Sequence, residues 1–151
     1  MKISILLPYK ENFSSIYPGA VSLFVKDTTK LSEFKKYITV YGNTQLKGVY
    51  KLNYKNIHLK KNLVQSGSKN YVKQFLKYEE QHPSDIIEIH NRPNYFHLIH
   101  GYLENRKIVL YFHNDPLTMT GSRSVNDRKK ILANATKIIF NSHWSRKRFL
   151  E

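Results

Sequence analysis

The sequence predicts an α/β fold in which helices flank a mainly parallel sheet. Short β-rich apolar runs alternate along the chain with stretches of helical periodicity, the pattern of βαβ units with right-handed crossovers. A length of 151 residues suits one ordinary core, because roughly 68–70% of the unfolded surface can be buried at this size. With no cysteine, the chain cannot be a disulfide scaffold, hold a thiolate-bound metal or use a cysteine nucleophile. Its 40% hydrophobic and 13% aromatic content excludes a disordered chain.

The elements follow in order. Lys2 to Leu7 reads as a buried strand stopped by Pro8, and its apolar run is far short of the ~20 residues a bilayer needs. No small-residue cleavage site follows it, so it is not a secretory signal. After a polar loop from Tyr9 to Pro18, Val21, Phe24, Val25, Leu31 and Phe34 recur at helical spacing. Tyr37 to Tyr41 is a second strand closed by Gly42-Asn43, and the weak alternation of Gly48 to Tyr54 predicts a third. Ser66-Gly67-Ser68 precedes a helix carrying Tyr71, Val72, Phe75 and Leu76, which His82-Pro83 stops. Asp85 to His90 is a strand, followed by a helix from near Asn94 with Tyr95, Leu98, Ile99 and Tyr102 inward. Lys107 to His113 is the next strand. Ser124 and Asp127 form a capping-box pattern ahead of a helix with Ile131, Leu132 and Ala135. Lys137 to Asn141 is the last strand, and Ser142 caps a final helix with Trp144 and Phe149. That pattern runs to Glu151 without a C-cap, as expected of a larger protein cut after its first domain.

The charge is strongly positive, with 25 Lys+Arg against 11 Asp+Glu for a net +14. Nineteen of these cations are lysine, and Lys, Asn, Ile and Tyr are all abundant, a bias that an AT-rich genome would impose. The distribution is uneven all the same. Between Glu33 and Glu79 no acidic residue occurs, while ten lysines fall from Lys35 to Lys77. Such a stretch fits a polyanionic partner, whether membrane lipid, nucleic acid or a phosphorylated ligand, or else a solvated basic face.

In parallel α/β sheets ligands bind beyond the carboxyl ends of the strands. Those ends read Pro8-Tyr9-Lys10, His90-Asn91-Arg92-Pro93, His113-Asn114-Asp115-Pro116 and Asn141-Ser142-His143, so three of seven histidines fall at successive strand ends. His113 or Asp115 could act as a base or bind an alcohol hydroxyl. Lys10, Arg92 and Arg123, with backbone N–H groups at Gly19, could hold phosphate oxygens. No HxH or HExxH spacing supports a metal site. His97 and His100 share a helix face with Glu104, read as its wet side. The single Gly19 is not the GxGxxG dinucleotide fingerprint, and neither a Walker A lysine nor a GxSxG elbow occurs.

The opening strand with Pro18-Gly19-Ala20, the segment Asp85 to Asn91, the segment Lys107 to Pro116 and the segment Lys137 to Ser142 followed by Trp144 together resemble, in serial order, the N-terminal domain of a GT-B glycosyltransferase of family 4. The resemblance spans nearly the whole chain and is most specific over residues 85–149. It implies a Rossmann-like three-layer sandwich, with residues 1–151 forming one acceptor-side domain and the C-terminal nucleotide-sugar domain absent. It also implies a retaining transferase that moves sugar from a nucleotide-sugar donor to a glycan or lipid-linked acceptor, without a cofactor.

By the same resemblance His113 lies beside the transferred sugar as a positioning and charge-stabilising residue. His90, Asn91 and Asp115 contact hydroxyls, and Lys10, Arg92 and Ser142 complete the binding rim. Gly19 stands where the family's glycine region approaches the donor phosphates, although the family often has two glycines where this chain has Gly19-Ala20. Without its second domain the chain is expected to be inert. Family enzymes that use lipid-linked acceptors work at the cytoplasmic membrane face, where the Lys-rich segment would meet an anionic membrane surface. A basic α/β module binding RNA or DNA is the alternative, but it lacks a recognised binding signature and leaves the histidine rim unexplained. A complete small α/β enzyme for a phosphate ligand is a third reading.

Overall fold

The computed structural model describes residues 1–59, 67–103 and 105–151. Its strands are β1 (Ile3–Leu6), β2 (Ile38–Gly42), β3 (Tyr54–Asn56), β4 (Ile86–His90), β5 (Lys107–Phe112) and β6 (Lys137–Phe140). They form a six-stranded sheet in the order β3-β2-β1-β4-β5-β6, in which β1–β2, β2–β3, β4–β5 and β5–β6 pair in parallel. The helices are α1 (Ala20–Leu31), α2 (Gly67–Gln81), α3 (Pro93–His100), α4 (Val125–Asn134) and α5 (His143–Leu150). This is the Rossmann-like α/β class that the sequence predicts. The chain divides into two compact units, Met1–Asp85 and Ile86–Glu151. Among the described residues no helix is long and apolar enough to cross a membrane.

In the first unit Ile5, Leu7, Phe13, Val21, Val25, Ile38 and Val40 make a common core. Tyr71 of α2 is fully buried and donates its hydroxyl to the carbonyls of Leu7 and Tyr41, at 3.0 and 3.3 Å. The buried Glu79 accepts from the hydroxyls of Ser4 and Ser84 and from the Ser84 N–H. A buried carboxylate with those three donors is satisfied, which is what makes its burial tolerable.

The third strand is displaced from its expected position: β3 covers Tyr54–Asn56, not Gly48 to Tyr54. Val49 instead makes an antiparallel bridge with Ser14, and the Tyr50 ring packs edge-on against Phe13 with centroids 5.2 Å apart. The weak alternation therefore serves the loop between β1 and α1, not the sheet. Helix α1 stops at Leu31, and both Leu31 and Phe34 are exposed. Helix α2 already includes Gly67 and Ser68. Ser66, Lys60, Lys61 and Glu104 lie outside the described residues.

In the second unit Ile108, Leu110 and Phe112 of β5 are buried, while Val109, Tyr111 and His113 alternate with them on a partly exposed face. Ile87 and Ile89 join the buried side. Phe112, Phe140 and Phe149 cluster with ring centroids 5.3–5.4 Å apart, docking α5 on the sheet. Helix α3 buries Tyr95, Phe96 and Ile99. Leu98 lies on another side of it, and Tyr102 falls beyond its end and is 58% exposed. Helix α4 turns Arg128 and Ile131 inward and leaves Leu132 exposed.

Candidate functional site

In the second unit the ends of β4, β5 and β6 meet at His113. Its backbone N–H donates to Asn91 Oδ1 at 3.3 Å, and its carbonyl accepts from Asn141 Nδ2 at 2.7 Å. Its ring Nε2 lies 2.9 Å from His90 Nδ1. His90 in turn places Nε2 2.5 Å from Glu88 Oε1. Glu88 and His90 are two residues apart on one strand and so share a face. Tyr111 stacks on both imidazoles, with centroids 5.3 Å from His90 and 4.6 Å from His113.

Burial decides the electrostatics. His90 is 0% exposed, so its ring acts on His113 and presents no surface to a ligand. His113 is only partly buried, and its pKa is lowered to about 4, first by desolvation and then by the neighbouring His90. It is therefore uncharged at neutral pH and can offer hydrogen bonds but no ion pair. Desolvation also raises the Tyr111 phenol above its usual range. The facing nitrogens of His90 and His113 stand at hydrogen-bond distance, which leaves no room for an ion between them.

The other predicted residues of this unit mostly hold the loops. Asn91 is buried at φ 54°, a left-handed conformation that Asn tolerates, and its side chain accepts from the amides of both His113 and Asn114. Arg92 donates to the Asn91 carbonyl at 2.7 Å. Asp115 accepts from the Leu117 N–H through one oxygen and from Arg148 through the other. Ser142 caps α5 by accepting from the Ser145 N–H at 3.1 Å. His143 is exposed. Arg123 donates to the Thr118 carbonyl. His97, read as lying on the wet side of its helix, is half-buried and bonds the Gly121 carbonyl at 2.7 Å.

Lys10 and Gly19 belong to the first unit. Lys10 adopts φ 64° and sits over the Tyr9 ring, 5.5 Å from its centroid. Gly19 precedes α1, but a carboxylate of the protein itself reaches this helix start. Glu11 Oε1 accepts from the Ser22 N–H at 3.1 Å, and a Cβ on Gly19 would collide with the same carboxylate. The negative end that a helix N-terminus favours is thus supplied internally, and the close approach that requires glycine is made by Glu11. A cavity of about 570 Å³ in this unit opens at the amino ends of β1, β2 and β3, among Lys2, Lys36, Lys55 and His82. Two lysines of the basic stretch thus face a concavity.

Sequence reasoning missed Glu88 and Tyr111 as members of the site, and it placed Asn141 at a strand end without giving it a role. The period of two along a strand carries the signal, since it puts Glu88 with His90 and Tyr111 with His113. Compared with protein-family models and with curated proteins, the sequence matches none.

Proposed function

We propose that the chain is the acceptor-side domain of a retaining glycosyltransferase of GT-B type. It would act with a nucleotide-binding domain to move sugar from a nucleotide-sugar donor to a glycan or lipid-linked acceptor. The observation that carries this reading is that the ends of β4 and β6 both bond His113 at the end of β5, Asn91 and Asn141 through its backbone and His90 through its uncharged, partly exposed ring. A neutral ring held in one orientation suits recognition of a sugar hydroxyl, and it costs no reorganisation when charge develops nearby. His113 is the residue that touches sugar. Asn91 and Asn141 position it, and Asp115 with Arg148 fixes the adjoining loop. The Lys-rich segment supplies attraction to an anionic membrane surface.

An amide-resolved titration of the chain with short oligosaccharides tests the reading. The expected result is perturbation confined to residues 91–92, 113–115 and 141–142, with no transfer or donor hydrolysis by the chain alone. Unmoved amides with glycans, together with RNA or DNA binding that weakens steeply with salt, would favour the nucleic-acid alternative.

A further inference from the structure

Glu88, His90 and His113 form a linear chain of polar groups on the partly exposed face of β4 and β5. An ionised carboxylate only accepts hydrogen bonds, so Glu88 Oε1 requires a proton on His90 Nε2. When His90 is neutral, its Nδ1 is then the bare nitrogen and must accept. Its partner at 2.9 Å, His113 Nε2, must therefore carry the proton of that ring, which leaves the lone pair on His113 Nδ1. Every link follows from what each group can donate or accept.

We propose that Glu88, through its bond to His90, sets the tautomer of His113 and so fixes Nδ1 as a hydrogen-bond acceptor. This deepens the sugar-transfer reading and rests on it only for the ligand, a substrate hydroxyl that would donate to Nδ1. Glu88 and His90 are positioning residues in this scheme. If His90 instead takes up a proton, its Nδ1–H donates, and the proton of His113 moves to Nδ1, reversing the polarity offered. Among the described residues Tyr111 also faces the pair, stacked on both rings, and its raised pKa keeps it an uncharged phenol. The Arg92 guanidinium is turned to the Asn91 carbonyl.

Long-range nitrogen–proton correlation of the imidazoles tests this without any sugar. The spectra are recorded at pH 8, with His113 assigned by the signal lost in His113→Asn. The expected wild-type pattern is a protonated Nε2 and a bare Nδ1 on His113, preferred roughly tenfold. Glu88→Gln retains an acceptor oxygen and preserves the pattern. Glu88→Lys presents only donors and inverts it. A bare Nε2 on wild-type His113, or a pattern unmoved by Glu88→Lys in a chain whose amide spectrum remains folded, overturns the proposal. If that variant does not fold, the wild-type and Glu88→Gln patterns decide. Failure here leaves glycan recognition intact, and failure of glycan titration leaves the relay intact.

Discussion

The His113 imidazole is held neutral down to a pKa of about 4, whereas in the unfolded chain it titrates near 6.5. Between those values the unfolded state binds a proton that the folded state refuses, so stability falls as pH drops from about 6.5 to 4 and levels off below. The slope from this one group is at most ~1.4 kcal/mol per pH unit. Urea unfolding across that range should show a shallower decline for His113→Asn than for the wild type, and parallel curves would mean that His113 is not the group responsible. Two other single residues carry backbone constraints. Gly121 at φ 94° lies where any Cβ would strike Asn94 N, and Asn91 at φ 54° trades that strain for two accepted amides.

At the scale of elements, local signals were the most legible. Ser124 caps α4 by accepting from the Asp127 N–H, and Ser142 caps α5 in the same way, as the hydroxyl spacing foretells. Ser124→Ala should cost about 1 kcal/mol, read as a lower urea midpoint with unchanged slope. A loss below the error of the midpoint would show that water replaces the cap. Which side of a helix faces inward was harder to read. Arg128 is buried because its guanidinium bonds the carbonyls of Ser122 and Arg123, a partnership that apolar periodicity cannot express. Leu132 and Trp144 are more than half exposed, since hydropathy records what a residue tolerates and not what packs on it. The third strand was misplaced for a related reason. Residues 48–52 spend their apolar side chains on the loop at Phe13, and only tertiary contact distinguishes that from a sheet. The site was legible as strand-end histidines, but its acid partner was not, because a carboxylate on a half-exposed strand face looks like any surface Glu.

For the molecule as a whole the net charge of +14 is the largest nonlocal property. Each engaged lysine gains about 1 kcal/mol at an anionic bilayer, so three or four from residues 35–77 would dock the chain reversibly. Co-sedimentation with phosphatidylserine vesicles at low salt should retain the chain, and added salt should release it. Protein remaining in the supernatant at low salt would reduce the basic stretch to a solvated face. The proposal stands or falls, however, on His113 as the group that meets sugar. The most direct measurement is the oligosaccharide affinity of the wild-type chain beside that of His113→Ala, with amide spectra showing both folded. Loss of one hydrogen bond predicts roughly three- to tenfold weaker binding in the variant. Equal affinities, or binding whose amide perturbations avoid residues 91, 113 and 141, would contradict it.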